Sequence, residues 1–243
     1  MLRLTEIHTY YGESHILQGI DLHVEKAECV ALLGPNGMGK TTTLRTIMGL
    51  TPARSGRVAF NGREIARWPA FRIARLGIGY VPEDRGIFDT LTVVENLRVP
   101  FLNLERRHAE PWAGIEERIY GLFPVLRERR GQMAGTLSGG EQQMLATARG
   151  MISGKEMVLL DEPTEGLAPM VIRNLVDAFH IVKKQGHTML LVEQNIQTAM
   201  EIADRCYILE KGRIKLEEPM ALLCRRPDLL YQYLGVGDTE AAT

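Results

Sequence analysis

The residues best suited to chemistry lie in a glycine-rich segment near the amino end of the chain. Gly34-Pro35-Asn36-Gly37-Met38-Gly39-Lys40-Thr41 fits the pattern Gly-x-x-x-x-Gly-Lys followed by Ser or Thr at every defined position. Its glycines let the backbone curl so that successive N–H groups point at a phosphate. Lys40 would reach the β- and γ-phosphates, and the Thr41 hydroxyl would ligate Mg²⁺. We therefore predict a nucleoside triphosphate site along this segment, extending to Thr42.

A pair of carboxylates follows a short apolar segment later in the chain. Met157 to Leu160 reads as a buried strand, and Asp161 and Glu162 come directly after it. Because successive side chains of a strand diverge, the two acids should have different tasks. Asp161 can hold Mg²⁺, and Glu162 can accept a proton from the attacking water or orient that water.

A third segment, Ser138-Gly139-Gly140-Glu141, has the spacing of a capping box at the start of a helix. The two glycines behind the cap leave backbone N–H groups bare, so the helix start can receive an anion. Taken alone, this motif would indicate only the cap of a helix. A second anion-binding cap in a chain that already has a phosphate loop makes sense if it closes over the nucleotide of another subunit.

The elements that position these residues follow from hydrophobic periodicity. Alternation over 20–24 predicts a half-buried strand, and the continuous apolar run 29–33 predicts a strand buried on both faces. Val58 to Phe60 leads into Asn61-Gly62, a strong hairpin signal. From about 63 to 137 amphipathic helices dominate, and afterwards strands and helices alternate, with a hairpin around Lys211-Gly212. We predict an α/β core with a β-rich start and a helical insertion.

Composition narrows the class of protein. The chain has 243 residues, 45% of them hydrophobic and 24% charged, with a net charge of −1. That balance argues against disorder, a nucleic-acid-binding surface and a polybasic membrane anchor. Its amino terminus has no signal-peptide pattern, and its longest apolar runs are too short to span a membrane. Cys29, Cys206 and Cys224 are isolated, so we expect three free buried thiols.

The segment Leu137 to Gln143, LSGGEQQ, resembles the signature motif of ATP-binding-cassette (ABC) ATPases, and the resemblance covers essentially the whole chain. It implies a P-loop NTPase core over about 1–84 and 138–218 with an antiparallel β subdomain. The helical subdomain would span 85–137, and C-terminal helices and a tail 219–243. It also implies ATP and Mg²⁺ binding in a head-to-tail dimer with an identical or related ATPase. Tyr11 would stack on adenine, with Tyr10 as the alternative.

Three departures from the usual family pattern matter for mechanism. Glu83 stands where most members have glutamine, Gln194 stands where they have histidine, and EGLAP at 165–169 replaces a version ending in Leu-Asp. Glu83 could still reach Mg²⁺ or the water. A glutamine amide can donate to the γ-phosphate but cannot take up a proton at neutral pH. We therefore hypothesise that Glu162 is the only general base and that Gln194 senses the γ-phosphate.

Together with YVPEDRGIF, LTVVENL and LVEQN, these departures resemble the paired ATPases of prokaryotic branched-chain (hydrophobic) amino-acid importers. The alternatives are a urea or short-chain amide importer and an ABC ATPase without a transporter. The favoured resemblance implies membrane permeases as partners, an extracytoplasmic solute-binding protein acting indirectly, no nucleic acid, and a place on the cytoplasmic membrane face. The permease would contact a groove near 83–97, with expected contacts at Asp84, Arg85, Phe88 and Glu95.

Overall fold

The computed structural model describes residues 1–104 and 111–226 of the chain. They form two sheets with helices packed around them, which is the α/β architecture that the sequence predicts. Within these residues, no helix combines the length and the apolar character that crossing a membrane requires.

The smaller sheet is antiparallel, with strand order β2-β1-β4-β5. Leu2 on β1 pairs with Val24 on β2 and with Phe60 on β4, and all three side chains are buried. The hairpin predicted at Asn61-Gly62 is present, since both residues adopt the positive φ angles that such a turn requires. The strands are β1 (Leu2–Tyr11), β2 (Ser14–Val24), β4 (Ser55–Phe60) and β5 (Arg63–Glu64).

The larger sheet has the order β10-β9-β3-β8-β7-β6. The five strands from β9 to β6 run parallel, and β10 joins the edge antiparallel to β9. Every residue of β3, β7 and β8 is buried, as the apolar runs 29–33 and 157–160 predict for β3 and for most of β7. The strands are β3 (Cys29–Leu33), β6 (Ile78–Val81), β7 (Met157–Asp161), β8 (Thr188–Glu193), β9 (Arg205–Glu210) and β10 (Arg213–Pro219).

The helices follow the predicted distribution. The helix after the phosphate loop spans 40–47, because the left-handed Gly39 begins it and Gly49 (φ 67°) follows its end. The helices are α1 (Lys40–Ile47), α2 (Ala70–Ala74), α3 (Val93–Leu104), α4 (Trp112–Leu122), α5 (Pro124–Glu128), α6 (Gly139–Ser153), α7 (Pro169–Lys184), α8 (Ile196–Ile202) and α9 (Met220–Leu223).

The predicted division of the chain is compatible with these elements. Helices α3, α4 and α5 lie within 85–137, and their buried faces pack in the same core as α6 and α7. The subdomain boundaries themselves stay predictions. Of the predicted C-terminal helices, α9 is present, and 227–243 lie outside the described residues.

Helix α6 approaches β6 very closely at two glycines. A Cβ atom on Gly79 would lie 2.1 Å from the carbonyl oxygen of Gly150, so neither strand nor helix has room for a side chain there. This contact fixes the position of α6, and with it the capping box at its start, relative to the parallel sheet.

The expectation of three buried thiols is wrong for one of them. Cys29 and Cys206 are buried, whereas Cys224 is exposed just beyond α9. Desolvation raises the pKa of Cys29 to about 12 and that of Cys206 to about 12. Both buried thiols therefore stay protonated and unreactive near neutral pH.

Candidate functional site

The predicted phosphate loop connects β3 to α1 and is tightly curled. Gly37 and Gly39 have φ angles of 77° and 105°, and Gly39 is the N-cap of α1. A Cβ atom on Gly39 would also lie 2.8 Å from Leu17 Cδ2. Glycine at 39 is thus required both by backbone conformation and by the approach of β2.

Lys40 holds the loop closed from inside. Its side chain is buried, and Nζ donates to the carbonyl oxygens of Gly34 at 2.7 Å and Pro35 at 3.1 Å. The same Nζ lies 3.1 Å from Glu162 Oε1. The ammonium group is therefore surrounded by oxygens, the atoms that a phosphate group would also offer it.

Thr41 and Asp161 meet as predicted, and a residue that the sequence did not single out joins them. The Thr41 hydroxyl donates to Asp161 Oδ1 at 2.9 Å, and the Tyr80 hydroxyl donates to Oδ2 at 2.9 Å. Burial raises the pKa of Asp161, and Glu162 and Glu83 add to the rise, while the two hydroxyl donors oppose it. Tyr80 lies on β6, and only the pairing of β6 with β7 brings it to Asp161.

Glu162 is held by contacts on three sides. Its backbone has a φ of 46°, in the left-handed region that costs a non-glycine residue about 1 kcal/mol. Its N–H donates to the Val192 carbonyl at 2.9 Å, and Gln194 Nε2 donates to Oε2 at 2.6 Å. With Lys40 on Oε1, both carboxylate oxygens have a partner. The structure therefore brings Lys40, Glu162 and Gln194 together.

A cavity of 380 Å³ is lined by half of the predicted nucleotide-binding residues. Its walls combine the phosphate loop with residues from three other parts of the chain. Glu83 also lines an adjoining 300 Å³ cavity with Thr41 and Asp161, next to the carboxylate predicted to hold a metal. The larger cavity is lined by Tyr11, Ile16, Asn36, Gly37, Gly39, Lys40, Thr41, Thr42, Glu83 and Glu162.

The remaining loop residues surround this cavity without lining it. Gly34 and Pro35 accept hydrogen bonds from Lys40. Met38 packs against the β9–β10 turn instead, since its carbonyl accepts from the Gly212 N–H and its Sδ from the Lys211 N–H. The Met38 side chain thus supports the loop from the sheet.

The two candidate tyrosines have different surroundings. Tyr11 lines the cavity, and 46% of it is exposed, with its hydroxyl 3.3 Å from Thr51 Oγ1. Tyr10 lies in a stack, its ring 4.1 Å from that of His15 and 4.0 Å from the Arg54 guanidinium carbon. Both faces of the Tyr10 ring are therefore occupied, which leaves Tyr11 as the ring able to receive a base.

The capping box at the start of α6 is formed as predicted but lies apart from the cavity. The Ser138 N–H donates to Glu141 Oε2 at 2.8 Å, and the Glu141 N–H donates to Ser138 Oγ at 3.3 Å. These bonds and Arg129 lower the pKa of Glu141. None of the residues from Ser138 to Glu141, Gly139 and Gly140 included, is among those that line the 380 Å³ cavity in the described chain.

The oxygen-rich arrangement at Thr41 and Asp161 suits Mg²⁺. Its donors are a hydroxyl and a carboxylate at the carboxyl end of β7, and Glu83 lies beside the same space. Mg²⁺ is a hard cation that binds proteins through one or two carboxylates and keeps its other positions for water and substrate phosphates. The residues present therefore fit the cation.

Comparisons with known proteins agree with this geometry. Residues 17–165 match the family model described as ABC transporter. The chain is 40% identical to the high-affinity branched-chain amino acid transport ATP-binding protein BraG of Pseudomonas aeruginosa, covering 97% of this chain and 100% of that protein. It is also 40% identical to the probable branched-chain amino acid transport ATP-binding protein LivF of Archaeoglobus fulgidus, covering 88% and 90%.

Solved structures show the same fold. An ATP-binding subunit of an ABC transporter superposes with a TM-score of 0.81 at 27% identity, covering 94% of each chain. An ATP-binding cassette in its ADP conformation superposes with a TM-score of 0.78 at 25% identity, covering 98% of this chain and 99% of the other.

The buried pair of Lys40 and Glu162 makes a prediction about stability. Replacing Lys40 with methionine leaves the Glu162 carboxylate without the cation that the described structure gives it. We expect the free energy of unfolding of the nucleotide-free protein to fall by about 3 kcal/mol. This value is at the lower end of the loss of stability expected when a buried ion pair is broken, because Glu162 lines a cavity that solvent can enter.

Urea denaturation followed by circular dichroism measures this change. Arg173→Met is the matched control, because Arg173 pairs with Glu201 on the surface, where 65% and 46% of the two side chains are exposed. That control should cost less than about 1 kcal/mol. Equal losses from the two variants would contradict the importance of the buried pair.

Proposed function

Since the chain belongs to the ATP-binding proteins of ABC transporters, a family of ATPases, we propose that it powers uptake of branched-chain amino acids through separate membrane permeases. The observation that carries this proposal is the convergence of Lys40, Thr41 and Glu162 around one cavity, with Asp161 hydrogen-bonded to Thr41. The branched-chain solute rests on the names of BraG and LivF, each 40% identical to this chain.

The bound nucleotide would occupy the whole length of the cavity. The adenine would stack on Tyr11, and the backbone from Gly34 to Thr42 would surround the phosphates. Lys40 already lies among oxygens, so β- and γ-phosphate oxygens would take the place of Glu162 Oε1. Binding of ATP would thereby free one oxygen of Glu162.

Mg²⁺ would be held by the Thr41 hydroxyl and Asp161, with Glu83 beside them. When bound, the cation neutralises charge on the phosphate oxygens. The Tyr80 hydroxyl would keep Asp161 oriented by its hydrogen bond to Oδ2.

Hydrolysis would use Glu162 as the general base. Water attacks the γ-phosphorus, the bond to the β–γ bridging oxygen breaks, and Glu162 takes the proton of the water. Gln194 already donates to Glu162 at 2.6 Å, and its amide N–H can turn to a γ-phosphate oxygen. Because an amide does not take up a proton at neutral pH, Gln194 would act as a sensor and Glu162 alone as the base.

Glu162→Gln tests this division of roles. The variant keeps the shape of the side chain but cannot take a proton, so kcat for ATP hydrolysis should fall about 10²–10⁴-fold. The affinity for ATP should be retained, because the phosphate loop is untouched. Release of inorganic phosphate and binding of a fluorescent ATP analogue measure the two quantities.

Glu165→Gln is the comparison variant for this test. Hydrogen bonding to Glu162 raises the pKa of the Glu165 carboxyl, so Glu165 is the neighbouring acid that could substitute as a base. The Glu165→Gln variant should reduce the rate of ATP hydrolysis far less than the Glu162→Gln variant does. Near-wild-type hydrolysis in Glu162→Gln would show that Glu162 is not the base.

A second ATPase subunit would complete the site. The capping box from Ser138 to Glu141 lies apart from the cavity of its own chain, although its bare N–H groups and helix end suit an anion. A second copy, or a related ATPase, placed head to tail would present its own box to the ATP bound here. The two subunits would then enclose the nucleotide between them.

The permease would dock in a groove between the parallel sheet and the helices of 85–137. This groove encloses 360 Å³, and its lining includes Phe71, Arg75, Arg85 and Arg149 and, within the described chain, no carboxylate. The centroid of the Phe88 ring lies 4.5 Å from the guanidinium carbon of Arg149, which lines the groove. The mixture of exposed aromatic rings and arginines suits a protein segment with apolar and acidic side chains.

Two of the four contacts expected in this region have other surroundings. Asp84 lines the smaller cavity with Thr41 and Asp161 and is not among the residues that line the groove. Glu95 caps the start of α3, where it accepts from the N–H and the hydroxyl of Thr92. Arg85 and Phe88 stay in the proposal as permease contacts, and Asp84 and Glu95 do not.

Phe71→Ser tests the groove. Phe71 is 57% exposed, so the change should leave folding and basal ATP hydrolysis intact while reducing co-purification with the permeases at least severalfold. Ile181→Ser is the matched control, since Ile181 is 43% exposed on α7, outside the groove lining. Equal co-purification of both variants with the permeases would contradict docking at this groove.

Uptake into proteoliposomes tests the whole proposal. The chain would be co-expressed with the permeases and a second, related ATPase and reconstituted into vesicles, with ATP inside the vesicles and the solute-binding protein outside them. We expect ATP-dependent uptake of radiolabelled leucine, and none with Glu162→Gln. Uptake of urea instead of leucine would overturn the solute, and the absence of any membrane partner would indicate an ABC ATPase that does not serve a transporter.

A further inference from the structure

Strand β8 ends in a carboxylate that the mechanism above does not use. Glu193 is only 2% exposed, and it lies at the carboxyl edge of the parallel sheet, directly before Gln194. Within the described chain it forms no ion pair with a lysine, arginine or histidine. A buried carboxylate without a cation must be stabilised by hydrogen bonds.

Four hydrogen bonds provide that stabilisation, and they divide between two segments. Oε1 accepts from the N–H of Thr164 at 3.2 Å and from its hydroxyl at 2.7 Å. Oε2 accepts from the N–H groups of Gln194 and Asn195, each at 3.2 Å. One oxygen thus binds the loop 163–168 that follows Glu162, and the other binds the backbone that carries Gln194.

The two segments enclose the proposed base. Glu162 immediately precedes the loop, its N–H donates to the Val192 carbonyl, and its carboxylate accepts from the Gln194 amide. Glu193 therefore closes a ring of contacts that runs from Glu162 through Thr164 and Gln194 back to Glu162. Displacing either segment would remove donors from a buried charge, which is unfavourable.

Burying the Glu193 carboxyl has a free-energy cost, so this residue does more than fill space at the end of β8. Desolvation raises the pKa of Glu193, and the four hydrogen bonds oppose the rise without cancelling it. An apolar residue at the end of β8 would avoid that cost, as those at 189–192 do.

We propose that Glu193 is a positioning residue that couples the loop 163–168 to Gln194 and thereby sets the Gln194 amide against Glu162. The proposal rests on the ATPase function proposed above. Movement of the loop would displace Oε1 of Glu193 through its hydrogen bonds to Thr164. Because the carboxylate is rigid, Oε2 would move with Oε1 and displace the backbone of Gln194. The state of one loop would then decide where the γ-phosphate sensor lies.

Glu193→Gln is the first test. One carboxylate oxygen becomes an amide donor facing N–H or O–H groups, so one of the two segments loses its acceptor. We expect kcat for ATP hydrolysis to fall about 10- to 100-fold, as for a small misplacement of a reacting group. The Kd for ATP should stay within about twofold, because no contact of the phosphate loop changes.

A double-variant cycle separates positioning from general damage. If Glu193 acts through Gln194, the variant carrying Glu193→Gln and Gln194→Ala should have the kcat of Gln194→Ala alone, since the second change removes the group that is positioned. If Glu193 only supports the fold, the fold-reductions in kcat caused by the two single changes should multiply in the double variant. Multiplying losses would overturn the proposal.

Thr164 gives a test that does not alter the carboxylate. Thr164→Val removes the hydroxyl that binds Oε1 and should lower kcat, whereas Thr164→Ser keeps that hydroxyl and should restore it. Thr147→Val is the matched control, because the buried Thr147 hydroxyl has no hydrogen-bond partner in the described structure. This control should hydrolyse ATP like the wild type.

These variants decide the question even if Glu193→Gln fails to fold, since the threonine changes are nearly isosteric. Equal turnover in Thr164→Val and Thr147→Val would overturn the proposal while leaving the ATPase function intact. Absence of hydrolysis by the wild-type protein with its partners would instead overturn the proposed function itself.

Discussion

The common level at which β3, β8 and β7 end is the constraint on which the site depends. Leu33 pairs with Glu193 across β3 and β8, and Asp161 pairs with Val192 across β7 and β8. The next residues of all three strands therefore emerge at one edge of the sheet. The phosphate loop, Glu162 and Gln194 meet there because of this register. A shift of one residue in either pairing would separate them.

The site concentrates negative charge around the buried ammonium group of Lys40. Asp161 and Glu193 both have raised pKa values, with burial as the first cause, and Glu162 shares its charge with Lys40. Since folding raises these two pKa values, ionisation of the carboxyls costs stability as the pH rises above their ordinary range, and neutral pH lies on the costly side. The geometry needed to bind and hydrolyse a nucleotide is kept at the expense of folding free energy.

Several parts of the fold were predictable because they depend on neighbours in sequence. The hairpin at Asn61-Gly62 and the capping box at Ser138 and Glu141 are local, and both are present. An error arose where a residue's surroundings come from elsewhere in the chain, since Cys224 was expected to be buried and is exposed.

By itself the sequence predicted which residues would carry the chemistry, because the spacing of Gly34 to Thr41 and the two acids at the end of β7 are chemical patterns. The tertiary structure alone decided how they are placed. Tyr80 reaches Asp161 only through the pairing of β6 with β7, and Tyr11 is distinguished from Tyr10 only by the stack that covers the latter. Glu193 connects the loop 163–168 to the end of β8 only through its two hydrogen bonds to Thr164. Such contacts join residues far apart in the chain, and no local pattern encodes them.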